Sequence, residues 1–380
     1  MEDGLDIALY IHIPFCRAKC AYCDFNSYAN LNSVHDDYTD ALVREIELAA
    51  PLSVRTIYIG GGTPTVLPLS HLARIFEAIR REFVTIATTE ITVEANPGTV
   101  APEQLADLRT LGVTRLSLGV QSFIDSELRL LGRIHSASEA MKAFQAGRQA
   151  GFDNLSLDLL YGLPGQQLAS WRRSLDQALA LHPDHLSLYA LTLEEGTPLA
   201  AAISRGYLPT PDPDLAADMY ELAQDMLSDA GFSHYEISNW ARSSEWICQH
   251  NLTYWRNEPY LGIGAGAHSW LGRRRWSNVP GPEKYSERVC NGQQPIATDE
   301  TIGFEMEMGE TMMMGLRLLD EGVELARFQA RFGMDLCLHF ADELRELAQL
   351  GLVETSSERV ILSERGRLLG NQVFLRFIGD

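Results

Sequence analysis

The chain has 380 residues, room for a barrel-sized domain with an appendage. Its 46% apolar and 22% charged residues suit a globular enzyme, and a net charge of −20 excludes a general nucleic-acid binder, which needs a basic footprint. No apolar run reaches the ~18 residues of a spanning helix, and MEDGLDIALY lacks the basic start and apolar centre of a signal peptide, so a cytoplasmic location is expected.

The first predicted strand, LDIALYIHI (5–13), runs into the densest chemistry of the chain, CRAKCAYCDF (16–25). Six cysteines are too few for a disulfide scaffold, yet three of them, Cys16, Cys20 and Cys23, crowd together as C-x3-C-x2-C. That points to metal or redox chemistry in a reducing compartment. A structural zinc site takes four ligands, so His12 would have to complete one, or else face the core. An iron–sulfur cluster held by three thiolates instead leaves one iron open for a further ligand.

Strands follow at 54–60, 90–96, 115–121, 154–162 and 185–193, separated by helical patterns such as YTDALVREIELAA and SHLARIFEAIRREF. Spacings of this kind are those of parallel crossovers, and at least six β/α units result. An open doubly wound sheet and a partial barrel both satisfy the pattern. In either, ligands gather at the carboxyl ends of the strands. GGGTPT (60–65) ends the second strand; its glycines admit close backbone approach, and without a following GK[ST] it is no phosphate loop. Glu94, Gln121 and Asp158 fall at or near the ends of strands three, four and five, and an unpaired buried carboxylate such as Asp158 would be costly. Beyond residue 200 come a helix opened by PTPDPD (209–214), a seventh candidate strand at 234–241 and an aperiodic stretch from 242 to 300 rich in Trp, Gly and Arg. The remainder is helical with a closing hairpin, read as a winged-helix-like unit. The expected division is 1–240, 241–300 and 301–380. FEMEMGETMMMG (304–315) reads as a half-buried helix with methionine as core filler.

CRAKCAYCDF resembles the signature of the radical S-adenosylmethionine (SAM) superfamily. The resemblance implies a partial (β/α)6 TIM-like barrel in which Cys16, Cys20 and Cys23 hold a 4Fe–4S cluster whose open iron is chelated by SAM. It implies that the turn containing Gly61, Gly62 and Thr63 contacts the methionine end of SAM, and that Glu94 and Asp158 hold its polar groups. Gln121 and Arg133 would assist, with Tyr10 close by. LDLLYGLPGQ, LYALTLEEGTPL, HNLTYW and the GLVE…GRLLGN tail extend the likeness over nearly the whole chain, to the oxygen-independent coproporphyrinogen III oxidase-like (HemN-like) group.

Two branches of that group differ at residue 25. The oxidases have a fourth cysteine and a long leading segment; the HemW-type haem chaperones have phenylalanine, a short start and an H-N-x-x-Y-W motif. Here the residue is Phe25, 15 residues precede the first cysteine, and His250, Asn251, Tyr254 and Trp255 supply the motif. The chain resembles the chaperone branch. That implies haem as cargo, haem-dependent respiratory proteins as acceptors, inner-membrane contact through those partners, and a homodimer as a candidate assembly. Nothing in the sequence is itself a membrane anchor. By this resemblance His250 is the expected axial ligand, with Cys248 and His268 as rivals. RRRW (273–276) offers cations for haem propionates or forms a solvated loop. The enzyme alternative is anaerobic porphyrinogen decarboxylation or another radical reaction on the ring.

Overall fold

The central strands carry an apolar residue at every second position, as in RLSLGVQ and NLSLDLLY, and such strands need helices over one face only. The computed structural model describes residues 6–49 and 51–378; Leu5 and Ala50, the ends of the first predicted strand and helix, lie outside them. Strands β1 (Asp6–Ile13), β2 (Ser53–Gly61), β3 (Glu90–Ala95), β4 (Arg115–Gln121), β5 (Asn154–Tyr161) and β6 (His185–Ala190) pair in parallel, in chain order. Five helices cover them: α1 (His35–Ala49), α2 (Leu69–Glu82), α3 (Pro102–Thr110), α4 (Ala137–Gln149) and α5 (Leu168–Ala180). Val93, Leu116, Leu118, Leu155, Leu157, Leu186 and Leu188 belong to the core, each 0–1% exposed. Each such side chain contributes about 1.5–3 kcal/mol. The alternate positions are polar and share one face. Register sets Glu94 beside Ser117 and Asp158 beside Ser187.

The seventh predicted strand is corrected by the structure. Residues 234–241 form parts of two strands, β7 (Ser233–Glu236) and β8 (Asn239–Ala241), which follow helix α6 (Pro213–Asp229) and run antiparallel to each other. Of the two, β8 pairs antiparallel with β6. A chain that reverses within three residues cannot make a parallel crossover, so the β/α repeat stops at six units.

The stretch from 242 to 300 holds helix α7 (Gln249–Trp255), strands β9 (Tyr260–Ile263), β10 (His268–Leu271) and β11 (Arg274–Asn278), helix α8 (Pro282–Cys290) and β12 (Ile296–Thr301). Of these, β9 joins the free edge of β1 in parallel and the other three extend the sheet antiparallel. The result is a curved 12-stranded sheet, ordered β12-β11-β10-β9-β1-β2-β3-β4-β5-β6-β8-β7, a partial barrel whose end strands do not pair with each other.

The C-terminal unit begins with α9 (Phe304–Gly315), where Met308 and Met312 are buried as core filler. It continues through β13 (Val323–Glu324), α10 (Leu325–Phe332), α11 (Ala341–Gln349), β14 (Val353–Thr355) and β15 (Arg359–Leu362). With β15 central, the three strands form the wing of a helical, winged-helix-like unit that has its own core around Phe328, Phe332 and Leu347.

Candidate functional site

The glycine turn and the cysteine loop are built as one piece. The Gly62 N–H donates to Ile13 O at 2.8 Å and the Thr63 N–H to Phe15 O at 2.8 Å, tying the end of β2 to the segment that carries Cys16. Gly61 has φ +112°, and a Cβ there would lie 2.5 Å from the His12 ring. A Cβ on Gly62 would lie 2.7 Å from Phe15 O, so neither position accepts a side chain. Around the loop, Cys16 Sγ lies 3.6 Å from Thr63 Oγ1, Cys23 Sγ 3.8 Å from Ser27 Oγ, and Arg133 Nη1 donates to Cys20 Sγ at 3.2 Å. Phe25 is 65% exposed, and its carbonyl closes the loop by accepting from Lys19 Nζ at 3.2 Å.

These residues line a cavity of about 480 Å³ that runs from the cysteine loop into the barrel. Of the residues read from sequence it brings together Cys16, Cys20, Cys23, Gly61, Gly62, Thr63, Glu94, Gln121, Arg133 and Asp158. Gln121 has φ +71°, a left-handed conformation that is costly for a side-chain-bearing residue and that concentrates at functional sites. Glu94 accepts from Tyr58 Oη at 2.7 Å and from the Gly61 N–H at 3.2 Å; burial nevertheless pushes its pKa up to about 7. Asp158 accepts from Ser117 Oγ, 3.0 Å from both carboxylate oxygens, and burial raises its pKa too. The cavity therefore holds two acceptor carboxyls reluctant to ionise, suited to hydroxyl and amino groups of a polar ligand. Among the described residues no three Cys, His, Asp or Glu side chains converge on a single ion. Three thiols spread around one cavity, with hydroxyl and guanidinium donors beside them, suit a polynuclear cluster with an open position.

Three residues read from sequence, Tyr10, His12 and His250, lie outside the cavity lining. Tyr10 lies behind the cavity, bonded through Oη to His12 Nδ1 at 2.9 Å and stacked on Tyr58 with ring centroids 6.2 Å apart. The other ring nitrogen of His12 meets Asn26 O at 2.9 Å, so both nitrogens are engaged within the chain. His250 is 1% exposed, with Nδ1 2.9 Å from Thr56 Oγ1 and Nε2 3.0 Å from Tyr254 Oη, and burial takes its pKa down to about 3. Its backbone N–H donates to Glu90, the first residue of β3, at 3.1 Å. The HNLTYW helix thus plugs the end of the barrel opposite the cysteine loop, and His250 has no nitrogen free for haem iron. It acts on the cavity through Tyr58, whose ring stacks on it at 5.0 Å and whose hydroxyl holds Glu94. Cys248 is fully buried against Glu90, while His268 is exposed. In RRRW, Arg274 pairs with Asp299 at 2.8 Å and Arg275 with Glu310 at 2.7 Å, so two of the three cations are already paired.

The cavity is also lined by Asn251 of the HNLTYW motif and by residues not singled out from sequence: Tyr22, Tyr58, Arg115, Ser117 and Ser187. The signal for three of them was the alternation of polar with apolar residues, Arg115 and Ser117 in RLSLG and Ser187 in HLSLY.

A partial parallel barrel with a three-cysteine loop and a glycine turn at the carboxyl ends of its strands is the architecture of a radical SAM protein, and residues 10–178 match that superfamily. Residues 305–369 match the HemN C-terminal domain. Similar proteins named Heme chaperone HemW occur in Bacillus subtilis (39% identity, 98% of this chain and 99% of the relative) and Escherichia coli (37%, 98% of each). Another, from Mycobacterium tuberculosis, is 40% identical over 99% of this chain and 96% of its own. The chain belongs to the HemW haem chaperone family. Among solved structures, the radical SAM enzyme coproporphyrinogen III oxidase (HemN) of E. coli is similar with a TM-score of 0.85 at 25% identity, covering 98% of this chain and 90% of that one.

Proposed function

We propose that the protein binds haem and passes it to haem-dependent acceptor proteins, with a 4Fe–4S cluster on Cys16, Cys20 and Cys23 and SAM in the cavity beside it. The observation that carries this reading is Phe25. Where the oxidase branch has another thiol, this chain presents a ring 65% exposed at the rim of the cavity. With Tyr189, 40% exposed on the same rim, it offers an apolar surface to a planar ligand. Family membership over the whole chain supports the same reading.

When bound, such a cluster supplies a low-potential electron and an open iron site. The chain's own residues do the rest. Arg133 donates to the Cys20 sulfur, the Gly61–Gly62 turn leaves room for a ligand against the backbone, and Glu94 and Asp158 accept from polar groups inside the barrel. Of the three candidate axial ligands only His268 is exposed, and the reading places haem iron there. It extends to respiratory acceptors reached by peripheral contact with the inner membrane, to a cytoplasmic site of action and to a homodimer. Among the described residues no helix is long and apolar enough to cross a membrane.

The test is transfer. Haem-loaded protein is mixed with a stripped apocytochrome and the Soret band followed. Movement of the band to that of the holocytochrome, faster than from free haem, is expected; no transfer overturns the chaperone reading. In parallel, His268→Ala is titrated with haem, and unchanged affinity and spectrum move the iron elsewhere.

A further inference from the structure

The inner part of the cavity contains a charge that makes no ion pair among the described residues. Arg115, the first residue of β4, is 2% exposed and lines the cavity. Its Nη2 donates to His185 Nδ1 at 3.1 Å, and its buried Nε has no partner among the described residues. His185 cannot balance the charge. Its Nδ1 also accepts from Ser156 Oγ at 2.8 Å and its Nε2 meets Tyr235 Oη at 2.8 Å, so the ring is neutral.

The nearby carboxylates are engaged elsewhere. Glu94 accepts from Tyr58 and Gly61, and Asp158 from Ser117. Glu90 accepts from Cys248 Sγ and from the N–H groups of Gln249 and His250. None of the three accepts from Arg115. A buried guanidinium without an anion is expensive, and its planar fork of donors matches a carboxylate. Glu94 and Asp158 line the same cavity and disfavour a dianion there, so a monoanionic carboxylate fits better than a phosphate.

We propose that Arg115 is the anchor for a carboxylate group of a ligand entering the barrel. Two ligands of the reading above carry one: SAM through its amino-acid carboxylate and haem through its propionates. The assignment rests on that reading.

The experiment compares each ligand with a partner lacking the carboxylate, decarboxylated SAM and haem dimethyl ester, on the reconstituted wild-type protein and on Arg115→Met. Binding is read by calorimetry for SAM and by absorbance for haem. For one pair, wild type prefers the carboxylate form by about tenfold or more, the strength of a charged hydrogen bond. Arg115→Met loses that preference while binding the carboxylate-free partner as wild type does, and the pair affected identifies the source. Arg115→Lys keeps the charge without the fork, so it is expected to fold and to lose at least about threefold of the preference. Undiminished preference in both pairs in either variant overturns the assignment, as does wild type that prefers the carboxylate form in neither pair. Wild type that binds neither SAM nor haem in any form overturns the proposed function together with the assignment.

Discussion

Replacing His250 by alanine separates a structural plug from a haem ligand. The ring sits between Thr56 Oγ1 and Tyr254 Oη, so its removal leaves two hydroxyls without their partner in a site 1% exposed. Each unpaired buried group costs about 1–3 kcal/mol, and the lost stack on Tyr58 adds about 1 kcal/mol of packing. The expected destabilisation at pH 7 is about 3–7 kcal/mol, a fall in melting temperature of about 6–14 °C for a barrel of this size. The pH dependence gives a second signature. The folded-state pKa of His250, about 3, lies below the unfolded value of 6.5, so as pH falls through 6.5 the unfolded chain takes up a proton that the folded one refuses. Stability from this residue is present above pH 6.5 and lost below it, and the gap between wild type and His250→Ala narrows by about 2 kcal/mol from pH 7 to pH 5. Calorimetric scans at both pH values, with a haem titration of the surviving folded protein, decide it. Weakened haem binding with an unchanged melting temperature would refute the plug and return His250 to the iron.

Cys20→Ala, like the same change at Cys16 or Cys23, removes one of three thiols from the cavity. Iron and labile sulfide after anaerobic reconstitution should fall to background while circular dichroism stays that of a folded barrel; full iron retention would contradict the ligand set. Arg133→Met deletes a charged donor to the Cys20 sulfur worth about 1.5–3 kcal/mol; because that bond favours the more negative, reduced cluster, its loss lowers the one-electron midpoint potential, by about 130 mV at most. An unchanged potential in a redox titration followed by paramagnetic resonance would remove Arg133 from that role. Glu236 is fully buried, bonded to Asn239 through one oxygen while the other has no partner among the described residues, and burial raises its pKa to about 7. Because the folded value lies above the unfolded one, its contribution is full below about pH 4.5 and lost as pH rises through 7. Glu236→Gln should therefore gain about 2–3 kcal/mol on wild type between pH 5 and pH 8 in urea melts, and a constant difference would show that the carboxyl ionises freely.

Much of this architecture is legible in the sequence because parallel strands under helices are written as apolar runs at crossover spacing. The cavity residues at strand ends, Glu94, Gln121 and Asp158, were found by that rule together with a motif likeness. Arg115 and Ser187 obey the same alternation but sit lower on their strands, where attention to strand ends misses them. His250 shows the opposite failure. A histidine beside two aromatics has the composition of a haem platform, yet the same groups make a dry plug, and only the register of α7 against Thr56 and Glu90 tells them apart. The strands between 260 and 301 were missed because they are short and three of the four run antiparallel at the sheet's edge, with polar residues such as those of Ile296–Thr301 exposed rather than alternating. The reversal at 237–238 has no glycine or proline to announce it, and Asn239, which closes it by bonding to Glu236, reads equally well as part of a continuous strand.

The central claim is that this barrel holds haem as cargo and does not consume a porphyrinogen. Its most direct test is a haem titration of the anaerobically reconstituted protein, run beside an assay for decarboxylation of coproporphyrinogen III with reductant and SAM. Saturable, stoichiometric haem binding with no vinyl product is the result expected. Robust decarboxylation without stable haem binding would contradict it, and would mean that a phenylalanine at position 25 is compatible with oxidase chemistry.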